Sequence, residues 1–192
     1  IIAQLIEKFP DNYIFIRLNS KDITSIHALE KCGFNLIDGI QTLYFDLRKL
    51  KDIKHYLDLH VREANVNDTD SIVSIGRSIY RFDRFHNDPF IAKEIADEVH
   101  AVWLKNSINK TAADILLLGE IKQRIVTFCT CKIIRIPEMN FNLGIIVLVG
   151  TQQEFQGKGL GKEITKNALL WFRRNNVDFV QIKTQISNIP AA

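Results

Sequence analysis

Residues Glu154 to Glu163, "EFQGKGLGKE", carry glycine at every second position through Gly157, Gly159 and Gly161, with Lys158 between the first two and Lys162 after the last. The segment follows an apolar run, "GIIVLVG", and precedes a helix-forming stretch, "KEITKNALLWFRRNN". Glycines this dense between a strand and a helix let main-chain amides approach an anion. The first turn of the helix adds unpaired N–H groups and the positive end of its dipole. Three phosphate-binding patterns are distinguishable by spacing. A P-loop requires G-x-x-x-x-G-K-[ST]. In that frame Gln156 stands in place of the first glycine and Glu163 in place of the hydroxyl that binds Mg²⁺. A dinucleotide fingerprint requires G-x-G-x-x-G at the first strand of a βαβ unit, whereas here the spacing is G-x-G-x-G late in the chain. The pattern Q-x-x-G-x-G fits, as Gln156-Gly157-Lys158-Gly159-Leu160-Gly161, with Lys158 and Lys162 close enough to screen phosphate charge. A glycine-rich turn serving only as a connection is the competing reading.

Other reactive side chains are scattered. "RFDRFHNDPF" gathers Arg81, Arg84, His86 and Asp88, candidates for substrate contact, the arginines suiting a diphosphate. A capped turn before a helix explains the same residues. His27, His55, His60 and His100 show no metal-ligand spacing, and no metal is expected. Cys129 and Cys131 alternate within a strand and read as reduced core thiols; with Cys32 they make no disulfide framework.

The elements around these residues follow from periodicity. "IIAQLIEKF" has helical spacing closed by Pro10, and "NYIFIRL" alternates as a strand. Asp22 caps "ITSIHALEKC", with Gly33 as its stop. "FNLIDGIQTLYFDL" forms two extended pieces around Asp38-Gly39, and residues 51–58 are the best linker. "HVREA" is a strand and "NVNDTDSIVSIGRSIY" a capped helix with Ile72, Val73, Ile75 and Ile79 inward. The helix of "DPFIAKEIADEVHAVWLKNSI" carries an apolar stripe of Ile91, Ile95, Val99, Val102 and Trp103. Three strands follow, then the glycine segment. Its helix is expected to bury Leu160, Ile164, Ala168, Trp171 and Phe172, and the strand "FVQIKTQI" comes after it. The pattern of residues 1–28 repeats in residues 167–192, so the N-terminal segment resembles the back half of the same architecture.

Composition sets the class. The 192 residues, 46% hydrophobic and 24% charged, suit a globular domain or one and a fraction. A net charge of +3 without a basic block gives no reason to expect nucleic acid. No apolar run approaches the ~20 residues that span a bilayer and no signal-peptide pattern appears, so the expectation is a cytoplasmic protein without a membrane partner.

From Leu143 to Ala192 the chain resembles the acyl-CoA-binding half of the GNAT superfamily of N-acetyltransferases. That resemblance implies a mixed α/β fold whose mainly antiparallel sheet is splayed at "GIIVLVG", preceded by a partial lobe of the same kind. It divides the chain into residues 1–50, the partial lobe as scaffold, a linker at 51–58, and the acetyltransferase domain from 59 to 192. It implies acetyl-CoA as donor. Leu148, Val149 and Gly150 would meet the pantetheine arm through main-chain groups, and the Val149 N–H would polarise the thioester. Gln156, Gly157, Lys158, Gly159, Leu160, Gly161 and Lys162 would hold the pyrophosphate, and Asn188 would contact coenzyme A. More narrowly, "ALEKCGFNLIDGIQTLYFDL", "RFDRFHNDPF" and "KTQISNIPAA" are similar to the dTDP-fucosamine acetyltransferase family, which acetylates the amine of a nucleotide-linked 4-amino-6-deoxyhexose. This implies a small-molecule amine as partner and leaves room for a homodimer. A peptide or polyamine acetyltransferase, or a non-catalytic acyl-CoA-binding module, are the alternatives. The tyrosine that commonly protonates the departing thiolate is absent from the matching stretch of the first lobe, where Leu29 stands, and the second lobe stops before it. No carboxylate lies within "GIIVLVGT" to act as base. The native chain is expected to continue by roughly 30 to 40 residues, which would supply that tyrosine and cover an otherwise unpaired edge beside "FVQIKTQI".

Overall fold

A computed structural model describes residues 4, 7–9, 12–51, 53–55 and 57–189. The chain divides into two compact units, Ile1–Ile37 and Asp38–Ala192.

In the first unit, helix α1 spans Ile23–Lys31. The Asp22 side chain accepts from the Ser25 amide at 3.1 Å, and Gly33 adopts φ 87° just past the helix end. Both are the expected start and stop signals, with the αL position taken by glycine because it lacks a Cβ. Tyr13 to Leu18, read as a strand, pair with no strand among the described residues. Alternation marks a surface that can be covered; the ladder also needs a partner. Of the proposed first helix, Gln4, Glu7 and Lys8 are helical and Phe9 is not, and the rest, with Pro10, lies outside the described residues.

The second unit is built on six strands, β1 (Ile40–Asp46), β2 (His60–Glu63), β3 (Ile115–Ile121), β4 (Arg124–Ile136), β5 (Phe141–Thr151) and β6 (Phe179–Gln185), in the order β1-β6-β5-β4-β3-β2. Every neighbouring pair is antiparallel except β5 and β6. That pair runs only from Leu143↔Phe179 to Ile146↔Ile182. Beyond it β5 stays with β4 to Thr127↔Thr151, while β6 stays with β1 to Ile40↔Gln185. The sheet therefore opens at Val147, the residue that the β4–β5 register shift leaves over. A bulge bends its strand and raises local twist, which is how one strand leaves its neighbour.

Residues 40–46, expected within the N-terminal segment 1–50, are the partner of β6 within the large unit. They also cover the edge beside "FVQIKTQI" expected to stand unpaired. Lys54 and His55, within the lysine-rich stretch at 51–58, are likewise attached rather than slack. The Lys54 carbonyl accepts from Lys166 Nζ at 2.7 Å, and His55 pairs with Glu163.

Helices cover both faces. The helix α5 (Leu160–Arg174) packs Ile164, Ala168 and Phe172 on Ile115, Leu117, Cys129, Cys131 and Val180. Leu160 joins its buried face and Trp171 is partly buried, as their spacing predicted. On the opposite face α2 (Thr69–Ile79) and α4 (Lys93–Ile108) cover Leu116, Leu118, Phe128 and Leu148 with Ile72, Ile75 and Leu104. The unbroken "ILLL" of β3 is the mark of a strand buried on both sides.

The stripe assigned to α4 is corrected. Ile95, Val102 and Trp103 are exposed, and the buried face is Ala96, His100, Ala101, Leu104 and Ser107. Small residues win because the helices approach closely. A Cβ on Gly76 of α2 would lie 2.5 Å from Leu104 Cδ1 and 3.6 Å from the Ala101 backbone. Pro89 precedes α4 by a turn instead of opening it, since the helix begins at Lys93.

Candidate functional site

The direction of the β5 main chain beyond the bulge follows from its hydrogen bonds. The Gln152 amide donates to the Val126 carbonyl at 2.9 Å, Leu148 N–H donates to Thr130 Oγ1 at 2.9 Å, and the Gly150 carbonyl accepts from Thr127 Oγ1 at 2.8 Å. Even-numbered residues thus turn their peptide groups to β4. The period of two turns those of Val147, Val149 and Thr151 to the opened side. Two contacts agree. The Thr151 carbonyl accepts from Gln156 Nε2 at 3.0 Å, and the Val149 carbonyl faces the Tyr80 hydroxyl at 3.4 Å. Val149 therefore presents main-chain groups to the splay. Leu148 has its amide on β4 and its side chain in the core. Gly150 is packed from behind, since a Cβ there would overlap Ile79 and Phe128.

After β5, Gln153–Phe155 make one 3₁₀ turn and the glycine loop leads into α5. Gly157 and Gly159 have φ of 73° and 78°, a region L side chains rarely enter. A Cβ on Gly157 would meet nothing within 4 Å, and one on Gly159 only Leu57 at 3.9 Å. These glycines are required by backbone shape, and the loop's surface stays open. No side chain caps α5, so the Leu160, Gly161 and Lys162 amides of its first turn keep their donors available, while Glu163 N–H returns to the Gly159 carbonyl at 3.1 Å. Uncapped amides beside an open glycine surface fit a pyrophosphate. Lys158 Nζ and the Arg124 guanidinium both lie over the Phe155 ring, at 5.0 and 5.2 Å from its centroid. Gln156 spends its side chain closing the loop onto Thr151, so its main chain is what remains for a ligand. Lys162 is exposed. Asn188, half-buried, follows β6 in a turn whose amide donates to the Gln185 carbonyl at 3.1 Å.

Under α5, Glu163 is buried at 3% exposure between His55 and Lys166, whose Nζ lies at 3.0 Å. Burial alone would raise its carboxyl, but those two partners outweigh it and hold it below the usual range. This ties Lys54 and His55 to the start of the helix, which spacing did not reveal.

The "RFDRFHNDPF" residues separate by role. Asp83 caps the short helix α3 (Arg84–Asn87) through Oδ1, accepting from the Phe85 and His86 amides at 2.8 and 3.2 Å. His86 is enclosed: Nδ1 meets Asp83 Oδ2 at 2.5 Å and Nε2 meets Asp97 Oδ1 at 2.9 Å. Asp88 is buried and accepts from the Phe90 amide at 2.9 Å. Arg84 lies half-buried over the Phe85 ring at 4.3 Å, and Arg81 is exposed. His100, from α4, comes within 3.9 Å of Asp83 Oδ2. Asp83, His86 and His100 thus place their ligand atoms within 4.8 Å of one another, a grouping that spacing along the chain did not disclose. The His100 ring stacks on Tyr80 at 4.0 Å, and burial lowers the basicity of its imidazole. Tyr80 is the residue that sequence reasoning missed. Its hydroxyl reaches the Val149 carbonyl, and desolvation holds the phenol neutral well beyond its usual range.

Among the described residues no helix is long and apolar enough to cross a membrane. The strand-paired Cys129 and Cys131 are both buried and free, with sulfurs 3.8 Å apart.

Comparison with known proteins agrees with this geometry. The chain is 23% identical over 107 residues to the spore coat polysaccharide biosynthesis protein SpsD of Bacillus subtilis (strain 168), a match covering 53% of the chain and 35% of that protein. The chain therefore spans about a third of the length of this curated relative. An acetyltransferase from the GNAT family of Colwellia psychrerythraea shares the fold with a TM-score of 0.56 at 11% identity, over 90% of this chain and 55% of that one. A GCN5-related N-acetyltransferase from Ralstonia eutropha JMP134 does so with a TM-score of 0.52 at 13% identity, over 69% and 88% of the two chains. Residues 79–192 match the profile of the acetyltransferase (GNAT) family, from the end of α2 through the splay, the glycine loop and β6, and the chain belongs to that family.

Proposed function

We propose that this protein transfers the acetyl group of acetyl-CoA to the amine of a nucleotide-linked amino sugar of the 4-amino-6-deoxyhexose type. The observation that carries the acetyl transfer is the opening of β5 from β6 at Val147, directly upstream of an uncapped, glycine-lined helix start. Main-chain groups of Val149 would lie along the pantetheine arm, with its N–H donating to the thioester oxygen as negative charge develops there. The amides from Gln156 to Lys162 would hold the pyrophosphate, with Lys158 and Lys162 adding charge, and Asn188 would line the cofactor from the end of β6. Bound acetyl-CoA supplies an activated acyl group and a thiolate leaving group. The protein must orient the two reactants and leave the amine neutral. The sugar acceptor is supported by the resemblance of "RFHNDPF" and the cofactor segment to dTDP-fucosamine acetyltransferases. The matched Bacillus protein, by its name, serves polysaccharide biosynthesis. Arg81 and Arg84 are the side chains suited to a diphosphate.

The test is release of free thiol from acetyl-CoA in the presence of aminosugar nucleotides, polyamines and peptide amines. Turnover with a dTDP-linked 4-amino-4,6-dideoxyhexose well above the other amines is the expected result. Preference for a polyamine or peptide would overturn the acceptor assignment. Acetyl-CoA binding without turnover on any amine would make the protein an acyl-CoA-binding module.

A further inference from the structure

An acceptor ammonium is not nucleophilic, so acetyl transfer needs a group that takes its proton. The β5 segment from Gly144 to Thr151 contains no carboxylate. The carboxylates around Tyr80 and His100 are engaged: Asp83 holds two amides and His86, and Asp97 holds His86 and Lys93. Asp38 differs. Its Oδ2 is shut off from solvent and has no hydrogen-bond partner among the described residues.

Its place in the fold is specific. Asp38 sits two residues before β1, where the Gly39 carbonyl accepts from the Ile186 amide at 2.9 Å and the ladder begins at Ile40↔Gln185. This is the end of β6 that has already parted from β5, since their pairing stops at Ile182. The Asp83 carboxylate and the Arg84 guanidinium both act on the Asp38 charge. From Asp83 the cluster continues through His100 at 3.9 Å and the stacked Tyr80 ring to the Val149 carbonyl. A buried carboxylate with an open lone pair thus lies within electrostatic reach of the cluster that ends at the Val149 carbonyl, beside the proposed thioester position.

Resting on the acetyl-transfer reading above, we propose that Asp38 is the general base. Its Oδ2 takes one proton from the acceptor R–NH₃⁺, giving R–NH₂ and a neutral carboxylic acid. The freed lone pair then forms the C–N bond to the acetyl carbonyl, the C–S bond breaks with its electrons on sulfur, and the second amine proton leaves to the thiolate as the amide forms. As a residue Asp38 is only half-buried, and water recovers the proton from its carboxyl group. Burial, with Asp83 adding to it, raises the carboxyl above its ordinary value against the opposing Gly39 amide and Arg84, which suits a proton acceptor.

The experiment compares wild type with Asp38→Asn and Asp38→Glu in the full-length protein, with dTDP-4-amino-4,6-dideoxygalactose as the probe amine. Asp38→Asn is expected to keep its melting temperature and its calorimetric acetyl-CoA affinity while kcat falls roughly 100-fold or more near neutral pH. The deficit should shrink at high pH, where the amine is already neutral, and Asp38→Glu should regain part of the rate. A loss that is the same at every pH, or a pH profile unchanged in Asp38→Asn, overturns the base while leaving the acetyltransferase reading in place. Absence of wild-type turnover on any amine defeats that reading, and the base falls with it. Should the Asn variant fail to fold, carbon-13 titration of the wild-type Asp38 carboxyl decides the matter. A midpoint at or below the ordinary value of about 3.9 excludes the role.

Discussion

At the scale of single residues, the two kinds of glycine in this site answer to different forces. Gly150 is small because Ile79 and Phe128 press on it, whereas Gly157 and Gly159 face open space and are fixed by their positive φ. Substitution should separate them. Gly159→Val places a β-branched residue in the left-handed region, at a cost of about 1–2 kcal/mol or more, and puts methyl groups where the loop would meet phosphate. Acetyl-CoA affinity measured by calorimetry should fall by roughly tenfold or more, in a protein that still unfolds cooperatively. Unchanged affinity would remove the glycine loop from the cofactor site. Gly150→Ala should instead lower stability, because the overlap lies in the core. The spacing of the three glycines was legible in the sequence because the constraint is local. Tyr80, His100 and Asp38 were not, since their partners lie far along the chain and none belongs to a spaced motif.

At the scale of elements, charge fixes what periodicity leaves open. Strand β2 has four residues and would be a weak edge on its own. Arg62 holds it in place, donating to Asp68 Oδ1 and Oδ2 at 2.8 Å each and to Glu120 Oε1 at 2.9 Å. One guanidinium therefore joins β2, the turn capping α2, and β3. Hydrogen bonding to Arg62 lowers the carboxyls of both Asp68 and Glu120. Groups with depressed values contribute stability that is complete above the unfolded carboxylate range and is lost as pH falls through their folded values. Urea midpoints should then drop steeply below about pH 4. Arg62→Met should cost about 2–3 kcal/mol at neutral pH, since it takes the guanidinium from a buried and a half-buried carboxylate, and should flatten that acid limb. A variant with the wild-type acid profile would show that the limb arises elsewhere. Hydrophobic patterning located α2 and α5 well and misplaced the buried face of α4. There the approach of Gly76 and Ala101 selects small side chains that a hydrophobicity pattern ranks low.

At the scale of the whole molecule, the sheet is closed by a strand from the far end of the chain. The repeat between residues 1–28 and 167–192 pointed to two related lobes, but β1 belongs to the sheet of the large unit, where it pairs with β6 along all seven of its residues. A periodic pattern says which side chains share a face and leaves the partner strand undetermined, so the alternation of residues 40–46 was readable and their destination was not. Backbone pairing must carry much of the attachment, because Leu43, Tyr44 and Phe45 are all exposed. The direction of each amide can be worked out. Ile186 N–H bonds to the Gly39 carbonyl and Leu47 N–H to the Asp178 carbonyl, so odd-numbered residues of β1 exchange bonds with β6 while even-numbered residues face the outer edge. Proline then discriminates. Leu43→Pro deletes a donor aimed at the Ile182 carbonyl and should destabilise the protein by about 2–3 kcal/mol, the lost bond plus an acceptor left unpaired. Thr42→Pro removes only an outward amide and should cost less than about 1 kcal/mol, as proline on an edge strand does. Hydrogen exchange gives the sharper readout: in Leu43→Pro the Val180, Ile182 and Thr184 amides should lose protection while those of β4 keep theirs. Equal effects of the two prolines would mean that β1 is held by its side chains instead of by the ladder. Because Asp38 stands two residues before this strand, loss of the ladder should also depress acetyl transfer in Leu43→Pro more than acetyl-CoA binding, coupling the closure of the sheet to the chemistry at its splay.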